Sequence, residues 1–171
     1  NEAGGIAAGS DTAFGASVVY VPQGSLFADG GARTFANTFF FSGTINLVAG
    51  NAVGGGGNQL TFAGPVNLAG ATTLNLITAG TAEFLGGLGE AFGSQALAKS
   101  GFGTLVISSA ATYSGATTIN TNGGAIVLAD QGALLNTTGI VVNIGGDLVL
   151  DNNSAANHGN RVSDVAPITL S

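Results

Sequence analysis

Charge is what this chain of 171 residues has least of: Asp, Glu, Lys and Arg make up 7% of it, against roughly a quarter of an ordinary globular domain. Lys and Arg together number three, too few for the electropositive footprint of a nucleic-acid partner. Cysteine is absent, which excludes disulfides and thiolate metal sites and leaves core and sheet to hold the fold. Methionine and tryptophan are missing as well. No basic, apolar leader marks the first residues, NEAGGIAAGSD,. Residues 34–82 carry no charge, yet Gly, Asn and Thr break every apolar run. No stretch therefore reaches the ~20 apolar residues of a membrane-spanning helix. Helical patterning is poor throughout, and the 30 glycines each disfavour a helix interior by about 1 kcal/mol.

What is present is apolar and repetitive. Hydrophobic residues at 45% exclude intrinsic disorder, and the length suits one domain with a sizeable core. The net charge of −6 is spread over nine isolated acids, the pattern of simple solubility. Three hexads, GTLVIS (Gly103–Ser108), GAIVLA (Gly124–Ala129) and GDLVLD (Gly146–Asp151), recur at intervals of 21 and 22 residues. Each is a glycine followed by alternating apolar residues, the pattern of a strand with one buried face. Counting outwards gives a series at Tyr20, Phe41, Phe62, Phe84, Leu105, Ile126, Leu148 and Ile168, with FSGTINL (Phe41–Leu47) matching FAGPVNL (Phe62–Leu68).

Such a period predicts a solenoid, whose single units cannot bury their own cores and must stack. The expectation is an all-β, right-handed parallel β-helix of about eight rungs of roughly 21 residues, filling 1–171 as one repeat domain. Its abrupt ends, Asn1 and the strand-like PITLS before Ser171, read as those of a piece of a longer repeat array. Asn pairs at the same offset (Asn37 with Asn58, Asn46 with Asn67, Asn122 with Asn143) predict side-chain ladders. Phenylalanines, all between Phe14 and Phe102, predict an aromatic interior first and an aliphatic one later. GNAVGGGGN (Gly50–Asn58), Gly87–Ser100 and DNNSAANHGNRVSD (Asp151–Asp164) read as loops leaving the coil.

The stretch GTLVIS, TYSGATTIN and GAIVLAD resembles the passenger-associated repeat of bacterial autotransporters, closely over 30 residues and more loosely over 15–171. The resemblance implies a parallel β-helix displayed extracellularly or on a bacterial cell surface, and it implies no reaction.

Catalytic, cofactor and metal residues are not expected. Glycan-cleaving β-helices need clustered carboxylates, whereas the nearest acids here, Asp147 and Asp151 with Asp130, read as solvated strand-edge charges. His158 sits alone in a polar loop, without the second ligand a metal requires. The Gly54–Phe62 run lacks the carboxylate of a calcium-binding roll and the Lys-Ser/Thr of a P-loop. One surface residue stands out. In Phe39-Phe40-Phe41, burial of the outer two turns Phe40 outwards, either under a loop such as Gly87–Ser100 or as a contact for self-association. A structural stalk, adhesin segment or fibre subunit is the leading reading, with end-to-end or lateral self-association and a host surface or glycan as partners. A Thr-row solenoid binding ice or polysaccharide is the second, motivated by Thr72-Thr73, Thr117-Thr118 and Thr137-Thr138. A glycan-degrading β-helix is the third.

Overall fold

The computed structural model describes residues 4–49, 59–154 and 156–171. All eighteen elements among them are strands, and every strand pair is parallel. A lead strand, β1 (Gly5–Ala8), precedes six turns of a three-sided coil. The first turn runs through β2 (Val19–Val21), β3 (Gly24–Ala28) and β4 (Arg33–Phe35). In the second, the first two sides merge into β5 (Phe39–Val48), followed by β6 (Gln59–Phe62); the third has β7 (Val66–Leu76) and β8 (Thr81–Phe84). Then come β9 (Leu88–Glu90), β10 (Leu97–Ser100) and β11 (Thr104–Ile107), and next β12 (Ala110–Ala111), β13 (Thr117–Ile119) and β14 (Gly124–Leu128). The sixth turn is β15 (Ala133–Leu134), β16 (Ile140–Val142) and β17 (Gly146–Leu150). A bridge from Leu134 to Val162 and a last strand, β18 (Ile168–Leu170), begin another.

The fold class matches the periodicity, but the turn count is six, not eight. The fixed period holds where no insertion intervenes: Leu26 pairs with Leu47, Phe62 with Phe84, and Leu105 with Ile126 and then Leu148. It fails at Phe41, which pairs with Leu68 across one side of the coil, while Phe62 lies on another side between Phe35 and Phe84. Ile168 pairs with Ile140 rather than following Leu148. The excursion expected at Gly50–Asn58 lies outside the described residues. Gly87–Ser100 does not leave the coil as a whole, because β9 and β10 both pair with β7 and only 91–96 lies between strands.

Alternation along each strand buries one column and exposes the next. One ladder runs Phe35, Phe62, Phe84, Ile107, Leu128, all fully buried. Phe39 and Phe41 join it from the neighbouring side, and Phe62 packs against Phe35, Phe39, Phe41 and Phe84 with ring centroids 5.0 to 5.9 Å apart. Past Phe84 the buried apolar side chains are aliphatic except for Tyr113, with Lys99 and the inward hydroxyls of Thr117 and Thr137 set among them, so the expected aromatic-to-aliphatic change holds.

The corner after this ladder is made by stacked small residues. Ala63 and Gly64 both donate backbone N–H to Phe35 O, and Leu85 and Gly86 both donate to Phe62 O. Gly86 therefore lies against Gly64, where an added Cβ would meet backbone at 2.3 Å. Gly86→Ala must push two turns apart and is expected to lower stability by about 3 kcal/mol, the upper range for overpacking. Gly9→Ala, which meets nothing within 4 Å, should leave the urea midpoint unchanged. Equal midpoints for the two variants would sink the corner-stacking account.

Candidate functional site

The three cations, the rarest chemistry in the chain, are all turned onto backbone carbonyls. Arg33 donates from Nε to Ala8 O at 3.0 Å, from Nη1 to Ala32 O at 2.8 Å, and from Nη2 to Asp29 O. Arg161 is buried and donates to Gly132 O, Asp151 O, Asn152 Oδ1 and Asn157 Oδ1, so it holds the polar 151–161 loop to the coil. Lys99 is wholly enclosed, in an inner ladder between Leu74 and Ile119. Its Nζ donates to the carbonyls of Ser100, Gly101 and Gly123 at 2.7 to 2.8 Å, and burial pushes its pKa down to about 8. A charge-assisted bond to a carbonyl offsets part of the desolvation of a buried ammonium. These groups do structural work and offer no electropositive surface.

The acids stay apart. Asp147 is exposed, as its outward position on β17 requires, and Asp151 Oδ1 accepts from Asn153 N and Nδ2. Glu83 accepts from Gln59 Nε2 and Ser108 Oγ. Glu90 caps the 91–96 loop, accepting from Ser114 N, Ser114 Oγ and Gln95 N; the Ser114 backbone bond chiefly holds its carboxyl below the usual value, against the upward push of burial. His158 Nδ1 accepts from Asn160 N, a loop-closing bond. Among the described residues no group of three His, Cys, Asp or Glu side chains comes together to hold a metal.

The most ordered surface is the outer face of the sheet built from β1, β3, β5, β7, β10, β13, β16 and β18. One outward column runs Thr44, Thr73, Ala98, Thr118, Val141, Thr169. Two residues along each strand, a second column starts Ser25, Asn46, Asn75, Ser100 and continues through Asn120, which bonds Ser100, to Asn143. The rungs lie about 4.8 Å apart and the columns roughly 7 Å apart. Asn75 Nδ2 donates to Asn46 Oδ1 at 2.9 Å and Asn46 Nδ2 to Ser25 Oγ at 3.2 Å, so the expected Asn ladder exists through Asn75 in place of Asn67. The hydroxyls of Thr44, Thr73, Thr118 and Thr169 make no hydrogen bond within the described structure. No charged side chain stands in either column.

Phe40 points outwards between buried Phe39 and Phe41, as alternation requires. It is half-buried, and its cover is Tyr20, stacked on it at 5.0 Å with ring planes 13° apart, rather than the 87–100 segment. The Thr pairs are split. Thr72, Thr117 and Thr137 point inwards, where Thr117 Oγ1 links Tyr113 Oη at 2.6 Å to Thr137 Oγ1 at 3.1 Å. Only their strand neighbours Thr73 and Thr118 belong to the outer face. Tyr20, first in the fixed-period apolar series, pairs with outward Phe40 rather than buried Phe41 and points to solvent, while Asn75 and the paired columns escaped that reading. The recurring triplets Thr44-Ile45-Asn46, Thr73-Leu74-Asn75, Thr118-Ile119-Asn120 and Thr169-Leu170-Ser171 carried the signal at unequal spacing. No family model matches the chain, and neither does any curated protein or solved structure.

Proposed function

We propose that the chain is a length of structural β-solenoid in a bacterial cell-surface or secreted repeat protein, a stalk, adhesin segment or fibre subunit that carries out no reaction. The observation that carries this reading is the uninterrupted stack of parallel turns around one buried apolar interior, which makes a stiff rod. β17 and β18 are the last strands of their sheets, and Ile168 and Leu170 lie 54% and 79% exposed at the end of the inner ladders. An unpaired strand edge with apolar side chains is a template for another strand. A second copy stacked end to end would pair with this edge and extend the rod. The scattered acids and inward-turned cations favour a mechanical over a catalytic role. The resemblance of GTLVIS, TYSGATTIN and GAIVLAD to the autotransporter passenger-associated repeat supports membership of that family and a place outside the cell.

Two measurements test this. Negative-stain electron microscopy of the protein should show rods one coil wide. End-to-end filaments abolished by Ile168→Lys with Leu170→Lys would assign the fibre role, and single rods unchanged by those lysines the stalk role. Antibody to the folded segment should label intact source cells. Compact particles, or labelling only after permeabilisation, would overturn the proposal.

A further inference from the structure

We propose that the corner at Tyr20, between the first two sides of the coil, and the Thr and Asn/Ser columns of the second side, which the corner depression adjoins, bind an uncharged polysaccharide chain lying along the solenoid axis. This inference stands apart from the stalk reading, because a soluble single rod would bind in the same way.

Tyr20 is 71% exposed, with its ring backed by Phe40. An exposed aromatic held flat by a second ring is costly to leave in water and pre-organised for a flat, partly apolar partner. Beside it lies a shallow depression of about 280 Å³ bounded by Gly5, Ile6, Tyr20, Pro22, Gln23 and Ser25. That size is at the lower end of small-ligand sites and suits one sugar unit. A pyranose has the matching chemistry: C–H groups on its face for the ring of Tyr20, and hydroxyls on its rim for Gln23 and Ser25.

Ser25 also heads the Asn/Ser column, so the depression opens onto a track of hydrogen-bonding groups. The unpaired hydroxyls of Thr44 and Thr73 stand one rung apart, about 4.8 Å, comparable to the length of one sugar in an extended chain, and that of Thr118 lies two rungs beyond Thr73, across Ala98. Each Thr adds a methyl group beside its hydroxyl, and the partner must therefore be amphipathic on the scale of one residue. The absence of charge from both columns, on a chain of net charge −6, disfavours polyanions such as nucleic acid or uronate polymers. A neutral glycan satisfies all of these conditions together.

Co-sedimentation with insoluble cellulose and chitin, and affinity electrophoresis in xyloglucan, galactomannan and mixed-linkage glucan, test the proposal directly. The wild-type protein should be retained by at least one of these. Tyr20→Ala should weaken retention at least tenfold and Tyr20→Phe should preserve it. Thr73→Val with Thr118→Val, which keeps the methyl groups and removes the hydroxyls, should weaken it several-fold. Circular dichroism should stay unchanged for all, since none of these side chains is in the core, and only Tyr20→Ala, which loses its stack on Phe40, should lower the urea midpoint slightly. Retention by none of the five glycans, retention unaffected by Tyr20→Ala, binding to alginate alone, or shaping of ice crystals without glycan retention would each overturn it.

Discussion

Phe62→Ala is expected to destabilise the solenoid by about 4 kcal/mol or more, the largest effect of any single truncation in the chain. The side chain is fully buried, and removing a buried phenylalanine costs roughly 3–5 kcal/mol in transfer and cavity terms. Two features put this site at or above the middle of that range. Phe62 touches four other rings, three of them edge-on, and such pairs add about 0.5–1.5 kcal/mol each beyond area burial. The hole also cannot collapse easily. In a solenoid each strand is fixed between parallel neighbours, here β4 and β8, so closing the gap would break two ladders at once. Phe62→Leu should recover a large part of the loss by restoring volume. The check is the urea midpoint of both variants beside Ile126→Ala, in the aliphatic half. An alanine effect at Phe62 no larger than that at Ile126 would remove the aromatic cluster as the main source of stability.

That cluster also shows what the sequence could and could not disclose. Alternation in Phe39-Phe40-Phe41 settled which rings face inwards, because strand geometry leaves only one pattern. The repeat of GTLVIS, GAIVLA and GDLVLD disclosed the correct register for β11, β14 and β17, since the connections between them hold no long insertion. The match of FSGTINL to FAGPVNL misled for the opposite reason. A fixed interval takes every turn to have one length, whereas Phe35 pairs with Phe62 and Phe41 with Leu68, each across more residues than Leu26 with Leu47. Phe41 and Phe62 therefore sit on different sides of the coil despite their similar surroundings in sequence. The Thr-Thr pairs show a second limit. On a strand one member must point inwards, and Thr117 is accepted there only because Tyr113 and Thr137 satisfy its hydroxyl, a condition set by three separate segments. The candidate face suffered from both limits. Its residues are common strand and turn types, Thr, Asn and Ser, and only pairing across unequal intervals brings them into columns.

Lys99 is the strongest case of information absent from the local pattern, and it leads to the last expected result. Among Leu97, Ala98, Lys99 and Ser100 the lysine reads as a surface residue, yet it occupies an inner position between Leu74 and Ile119. The three carbonyls that hold its ammonium belong to the corner at Ser100-Gly101 and to Gly123 one turn on. Two effects oppose each other. Burial depresses the pKa from 10.5 to about 8, a penalty on the charged form of about 3 kcal/mol. The three bonds to the ammonium offset only part of that penalty, but they also satisfy the inward carbonyls of Ser100, Gly101 and Gly123. Lys99→Met, which keeps the length and volume, takes that donor from three inward carbonyls, at about 1–3 kcal/mol for each buried acceptor left unsatisfied. It should lower stability at pH 7 by about 3 kcal/mol even as the charge penalty is relieved. The pH dependence has the sign of a depressed lysine. Below pH 8 folded and unfolded chains both hold the proton and the penalty is fully present. Between about 8 and 10.5 the unfolded chain keeps a proton that the folded chain has released, so stability rises with pH. From pH 7.5 to 9.5 the rise should be about 2 kcal/mol. It reverses above pH 10, where the unfolded phenol of Tyr113 ionises while burial keeps the folded one protonated. Urea midpoints of the wild-type protein and Lys99→Met across pH 7–10 decide the matter. The wild type should become more stable up to about pH 10 and the variant should not; parallel profiles would show that the lysine releases no proton within this window.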